Sequence, residues 1–126
     1  MDSLGKTRPA MAQALFDGLQ TLACINGYLG QYLAVNAAFT AGLGWTEHDL
    51  RGFAYYDLAP SAERELMMKI GGDVIRGGGC VDPRTYTRAM RHKDGGYRMV
   101  EWTVWADPKN RLVYALGKLL GVAEVE

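Results

Sequence analysis

The last third of the chain places three β-type stretches one after another, with only turn sequences between them. Arg84–His92 and Tyr97–Ala106 flank the sequence Lys93–Gly96, which is typical of turns that join antiparallel strands. A further turn at Asp107–Asn110 leads to Leu112–Gly117, which is continuously apolar. Such a run indicates a strand in the middle of a sheet that is covered on both faces. These residues therefore restrict the fold to one built on an antiparallel sheet.

The first third of the chain predicts a short helix followed by a β-hairpin. The spacing of apolar residues over positions 7–17 suits a short helix, and its apolar stripe includes Met11 and Leu15. A helix of this length is marginal in water, so we expect it to dock on another surface. Leu19–Ile25 and Gln31–Val35 are typical of two strands joined by a glycine-containing turn.

Helical signals follow this hairpin. Asn36 is suited to cap a short helix that Gly44 ends, and Thr46 with Asp49 resembles a capping box. Pro60 opens a longer helix, which the glycines at 77–79 close. The apolar face of the longer helix is formed by Leu66, Met67, Ile70 and Val74.

Two adjacent glycines interrupt this longer helix. Gly71 and Gly72 each cost about 1 kcal/mol relative to alanine in a helix interior. Two explanations are open: the helix kinks at this point, or a neighbouring group comes close to its backbone. With five predicted strands and several helices, the economical solution is one antiparallel sheet with helices packed on it.

Composition favours one soluble domain. The chain has 126 residues, of which 48% are hydrophobic and 22% are charged, with 14 basic and 14 acidic side chains. This charge balance argues against a nucleic-acid binder, whose affinity depends on neutralising phosphates. No window reaches the roughly 18 apolar residues that a membrane helix needs. Residues 1–9 lack the pattern of an export signal, so we expect a cytoplasmic protein.

Six stretches, in this order and at this spacing, resemble a PAS domain between about Phe16 and Leu119. They are Phe16–Leu19, Ala34–Phe39, Leu43–Gly52, Asp57–Pro60, His92–Arg98 and Asn110–Gly117. The resemblance implies an α+β fold with a five-stranded antiparallel sheet of order 2-1-5-4-3, helices cupping one face and an N-terminal helix on the other. It divides the chain into an N-terminal flanking helix at 1–16, a PAS domain at 17–120 and a C-terminal tail at 121–126.

The resemblance implies sensing and signalling rather than catalysis. In this family the occupancy of a small cavity is coupled to dimer geometry through flanking helices, and a ligand shifts that equilibrium only by its difference in affinity for the two states. We therefore expect a small-molecule ligand, a homodimer, and an output signalling domain in cis or in trans, as in a histidine kinase or a cyclic-dinucleotide enzyme. The alternatives are a cofactor-free dimerisation or protein-interaction module and, least favoured, a small isomerase-like cavity enzyme.

The residues favour no particular cofactor. Gly52–Leu58 corresponds to the segment that carries the adduct-forming cysteine of photochemical flavin-binding relatives, and it contains no cysteine. Ser61–Arg76 corresponds to the helix that carries the axial histidine of haem-binding relatives, and it contains no histidine. Cys24 and Cys80 lack metal-ligand spacing, so we expect no metal site. Non-covalent flavin and a small metabolite remain open as ligands.

The resemblance, combined with strand parity, indicates which side chains surround the expected cavity. From the sheet these are Ala23, Ile25, Val100, Trp102, Val104, Ala115 and Gly117. From the helical side they are Phe39, Tyr55, Tyr56, Met67 and Ile70, with Leu66 beside them. Arg88 and Arg98 are expected near the cavity edge, where paired hydrogen bonds could hold a ligand carboxylate.

The opposite face of the sheet also carries apolar residues. We expect these to contact the helix over residues 11–18, and exposure of such a patch favours pairing of two chains. They are Met99, Trp105, Tyr114 and Leu116. Glu101 shares this face, which leaves few residues for acid–base catalysis inside the cavity.

Overall fold

The computed structural model describes residues 3–77 and 83–125. Within these residues the chain forms three α-helices, two short 3-10 helices and five β-strands. The helices are α1 (Ser3–Gly18), α2 (Ala37–Leu43) and α3 (Arg64–Gly77), with 3-10 helices at Tyr55–Leu58 and Ser61–Glu63. The strands are β1 (Leu22–Gly27), β2 (Tyr32–Val35), β3 (Arg84–Arg91), β4 (Tyr97–Asp107) and β5 (Leu112–Ala123).

The strands form one antiparallel sheet of order β2-β1-β5-β4-β3, which confirms the expected order. The apolar strand β5 lies at its centre, where Ala115 pairs with Cys24 on one side and with Val104 on the other. β5 continues to Ala123 because the long strand β4 offers it partners as far as Tyr97. Part of the expected C-terminal tail therefore belongs to the sheet.

Side chains alternate along β4 as predicted. Val100, Trp102, Val104 and Ala106 are buried on the inner face, whereas Glu101 between them is exposed. The inner face packs against α2 and the segments that follow it, and this contact forms the hydrophobic core. The largest apolar side chains with almost no exposure are Phe39, Leu43, Leu50, Leu58 and Met90.

The predicted caps of α2 are confirmed. Oδ1 of Asn36 accepts a hydrogen bond from the Phe39 amide at 3.0 Å, and Gly44 ends the helix in the left-handed region with φ 85°. The Thr46 amide donates to the Asp49 carboxylate, and the Asp49 amide donates to the Thr46 hydroxyl. These two bonds form the capping box that the sequence indicated.

The long helix differs from its prediction at its start and on one face. It begins at Arg64 because a 3-10 turn at Ser61–Glu63 follows Pro60. Met67 and Val74 are buried as expected, but Leu66 is 52% exposed, so its assignment to the buried face is wrong. The helix ends at Gly77; Gly78, Gly79 and Cys80 lie outside the described residues.

The N-terminal helix does not bury its apolar stripe within a single chain. α1 starts at Ser3, earlier than predicted, and contains Pro9. Met11 is 55% exposed and Leu15 is 68% exposed. α1 lies next to α2, and Leu116 on the outer face of the sheet also stays partly exposed. The expectation that α1 covers the outer face is therefore not met within one chain.

Neither stretch of described residues, 3–77 or 83–125, contains a helix both long and apolar enough to cross a membrane.

Candidate functional site

A cavity of about 340 Å³ lies between the inner face of the sheet and a roof made by α3 and the first 3-10 helix. Its volume is within the range of roughly 300–1,000 Å³ that small-molecule sites occupy. Its floor is formed mainly by strand residues that include Asn26, Trp102, Val104, Val113 and Ala115. Its roof includes Tyr55, Tyr56, Ile70, Gly71 and Val74.

The Tyr55 side chain explains one of the two glycines inside α3. Its hydroxyl lies so close to Gly71 that a Cβ at this position would overlap it. Of the two explanations open from sequence, the close approach of a neighbouring group is therefore confirmed for Gly71. Tyr55 is also held through its backbone, because its amide donates to the Gly30 carbonyl at 3.1 Å. The glycine thus lets the first 3-10 helix pack directly against α3.

Two buried polar side-chain atoms have no hydrogen-bond partner among the described residues, and both belong to residues that line this cavity. They are the Tyr28 hydroxyl and Nη2 of Arg88. Buried polar groups are almost always paired in folded proteins, so each exception needs an explanation. A molecule bound in the cavity would supply the missing partners.

Arg88 brings a positive charge to the cavity. Its side chain projects from β3 and the residue is only 3% exposed. Nη1 donates to the Tyr55 carbonyl at 2.9 Å, and Nε donates to the Ala89 carbonyl at 3.3 Å. No carboxylate among the described residues forms an ion pair with it. Arginine stays charged at any physiological pH, and a buried unpaired charge is costly.

The neighbouring titratable groups do not neutralise this charge. Burial raises the pKa of Cys24 to about 12, although Arg88 acts in the opposite direction. Burial likewise raises the pKa of Tyr55 to about 12 and that of Tyr32 well above its usual value. All three groups are therefore neutral at pH 7. No carboxylate lines the cavity within residues 3–77 and 83–125, so no described group compensates the Arg88 charge.

The Cys24 thiol makes the free energy of unfolding depend on pH in the alkaline range. Its pKa is about 12 in the folded chain against 9.0 for an ordinary thiol. A raised folded pKa contributes stability that is complete below pH 9 and is lost as the pH rises toward 12. We expect the free energy of unfolding of the wild type to fall by about 1 kcal/mol more between pH 9 and pH 10 than that of Cys24→Ala, as measured by urea denaturation. Equal falls in both proteins would contradict this.

Half of the expected binding residues line the cavity. These seven are Tyr55, Tyr56, Ile70, Arg88, Trp102, Val104 and Ala115. They come from the first 3-10 helix, α3 and three strands, so distant parts of the sequence meet here. The other seven lie elsewhere, for reasons that differ between the sheet, the core and the β3–β4 turn.

The parity expected for β1 is wrong. Cys24 and Asn26 line the cavity, not Ala23 and Ile25. Cys24 is directly opposite the inward-facing Ala115, and residues directly opposite each other in an antiparallel pair share a face. The sequence did not show this pairing. Tyr86 and Met90, which also line the cavity, could have been found, because both lie two positions from Arg88 on one strand.

Four of the remaining residues belong to the packed core beside the cavity. Phe39 is fully buried and its ring lies 5.9 Å from that of Tyr32 and 6.2 Å from that of Trp102. The Trp102 ring covers Gly117, where a Cβ would approach Cζ3 of the ring to 2.5 Å. Val100 and Met67 are buried but do not line the cavity.

Arg98, the last of the seven, is not at the cavity edge. Its Nη2 donates to the Asp94 carboxylate at 3.1 Å, and its Nη1 donates to the Tyr97 carbonyl. It therefore stabilises the turn between β3 and β4 and is paired without a ligand. The described residues contain no group of three or more His, Cys, Asp or Glu side chains that could hold a metal ion.

Comparisons with known proteins place this architecture. No protein-family model and no curated protein sequence matches the chain significantly. Solved structures do match. A domain of a sensory box sensor histidine kinase/response regulator from Geobacter sulfurreducens is 18% identical, with 94% of this chain and 99% of that chain covered and a TM-score of 0.76.

Two further solved structures match this chain. The PAS domain of an HTR-like protein from Haloarcula marismortui is 18% identical, with 91% of this chain and 99% of that chain covered and a TM-score of 0.72. The PAS domain of the quorum-sensing receptor RpfR from Cronobacter turicensis, solved in complex with BDSF, is 14% identical, with 81% and 95% covered and a TM-score of 0.66. With its strand order and cupped helices, this chain has the PAS fold.

Proposed function

We propose that this chain is a sensory PAS module that binds a small, largely apolar molecule in the cavity beneath α3. The observation that carries the proposal is the cavity itself, about 340 Å³ in volume, with both unpaired buried polar atoms on residues that line it. The structurally similar RpfR PAS domain, solved with BDSF and with C12:0, supports a small-molecule ligand. Ligand occupancy would be passed to an output signalling domain in cis or in trans.

The lining residues favour binding over catalysis. In the part of the chain that the structure describes, they include no carboxylate and no histidine, and burial holds the pKa of the Cys24 thiol at about 12. General acid–base or nucleophilic chemistry needs such a group with a pKa near the working pH. Glu101 is exposed on the outer face of the sheet. The proposed role is therefore that of a sensor and not of an enzyme.

A phenylalanine at position 115 tests the cavity directly. Ala115 is buried on the cavity floor, so the larger side chain of Ala115→Phe would fill the space. We expect the neutral fluorescent probe N-phenyl-1-naphthylamine to bind the wild type saturably. Ala115→Phe should bind it at least about tenfold more weakly, because the probe would lose the burial of at least one apolar group. Circular dichroism would check that the variant folds.

The matched control for this variant is Leu116→Phe. Leu116 is the next residue of β5, points to the outer face and is 38% exposed, so the same side chain there leaves the cavity open. This variant should bind the probe like the wild type. Probe binding that Ala115→Phe and Leu116→Phe weaken equally, or that the wild type lacks, would contradict a ligand-binding cavity. The latter result would favour a cofactor-free dimerisation module.

We also propose that the chain forms a homodimer through α1 and the outer face of the sheet. Met11 and Leu15 on α1 are more than half exposed, and Leu116 on the sheet is 38% exposed. A second copy would remove these groups from water, which lowers the free energy of the assembly.

Light scattering tests this dimer. The wild type should have the mass of two chains, and Leu15→Glu should have the mass of one, because the charge would be buried without a partner. Leu66→Glu is the control, since Leu66 is 52% exposed on α3, away from the proposed interface; it should remain a dimer. A monomeric wild type, or a dimeric Leu15→Glu, would contradict the proposal.

A further inference from the structure

We infer that the ligand is a small amphipathic acid whose carboxylate binds the guanidinium of Arg88 while its apolar part fills the rest of the cavity. This inference rests on the proposed function and adds the chemical class of the ligand. Arg88 is the only charged residue among the described residues that line the cavity.

The hydrogen bonds of Arg88 leave room for a carboxylate. A guanidinium has five N–H donors, and the described residues accept one from Nε and one from Nη1. Nη2 has no hydrogen-bond partner among the described residues. One carboxylate accepts a pair of parallel hydrogen bonds from such a group, and this bidentate geometry is the strongest that arginine makes.

The charge balance favours a carboxylate over a phosphate. Arg88 supplies one positive charge, and the described lining residues include neither a lysine nor a second arginine. A carboxylate carries a single negative charge and matches it. A phosphate monoester carries close to two charges at neutral pH and would bring an unmatched charge into the cavity.

The rest of the lining determines the shape of the ligand. Ile70, Val74, Val104, Val113 and Ala115 offer only aliphatic surface to the cavity. Each methylene of a ligand that is buried against such surface tightens binding about fourfold. The site therefore suits a molecule with one acidic end and a hydrocarbon body.

Decanoic acid and decan-1-ol form a matched pair of probes, because they share the hydrocarbon chain and differ in the charged group. Isothermal titration calorimetry should show that the wild type binds the acid at least about tenfold more tightly than the alcohol, since hydrogen bonds between charged groups are stronger than those of a neutral hydroxyl. Arg88→Met should lose this preference. Arg98→Met, which removes the same charge from a residue that is paired with Asp94 outside the cavity, should keep it.

The outcomes separate the inference from the proposed function. Equal binding of acid and alcohol by the wild type would overturn the carboxylate assignment but leave an apolar cavity that binds ligands. An unchanged preference in Arg88→Met would also overturn the assignment to this arginine. If the wild type bound neither probe, both the inference and the proposed function would fail. The comparison of acid with alcohol on the wild type holds even if Arg88→Met does not fold.

Discussion

Replacing Asn36 with alanine is expected to lower the free energy of unfolding by about 3–5 kcal/mol. Its Oδ1 accepts hydrogen bonds from the amides of Ala23 at 2.9 Å and Phe39 at 3.0 Å. Its Nδ2 donates to the carbonyls of Phe16 at 3.0 Å and Thr21 at 2.9 Å. Alanine would remove all four bonds and leave the buried amides of Ala23 and Phe39 without this acceptor.

The size of this effect follows from where Asn36 lies. The residue is 1% exposed, and its bonds with the Ala23 and Phe39 amides are buried, so water cannot replace those two bonds. It joins the last turn of α1, the start of β1 and the first turn of α2, and so it connects the flanking helix to the sheet. Asn110→Ala is the control, because Asn110 bonds to Asp107 in an exposed turn; we expect a loss below about 1 kcal/mol. Urea denaturation of both variants would measure the difference, and similar losses would contradict the role of Asn36.

Phe39→Ala is expected to cost about 3–5 kcal/mol as well. Phe39 is fully buried, and its ring packs between Tyr32 and Trp102. Alanine would leave a void that the sheet and α2 close only partly, so the chain loses both the transfer free energy and the packing contacts. Phe39 is a core residue that does not line the cavity, in contrast to its expected place in the binding site.

The control for Phe39 is the same substitution at a half-exposed position. Phe53 is 37% exposed, and its ring lies 5.8 Å from that of Trp45. Because less of the Phe53 ring leaves water on folding, Phe53→Ala should cost less than half as much. Thermal and urea unfolding of the two variants would give the comparison. Equal costs would contradict the assignment of Phe39 to the packed core.

The sequence predicted most of the sheet because its signals are local. The turn at Lys93–Gly96, the alternation along β4 and the apolar run in β5 each depend on a few neighbouring residues. The cap at Asn36 is equally local. The full strand order came from the six stretches that resemble a PAS domain, since strand order depends on contacts between distant residues.

The site was harder to predict, because it depends on register and on long-range contacts. The position of Cys24 opposite Ala115 decides which face of β1 lines the cavity, and a shift of one residue reverses every side chain. Tertiary geometry also decides that Arg98 pairs with Asp94 and that Nη2 of Arg88 has no partner among the described residues. Gly71 did signal a close approach, although only the structure identifies Tyr55 as the neighbour.

Methyl chemical-shift mapping with decanoic acid is the most direct test of a ligand-binding space beneath α3. Binding there predicts saturable shifts for the methyl groups of Ile70, Val104, Val113 and Ala115, which line the cavity. The chemical shifts of the Leu116 methyl groups, on the outer face of the sheet, should not change. Shifts of Leu116 without shifts of the cavity methyl groups, or no shifts at all, would contradict it.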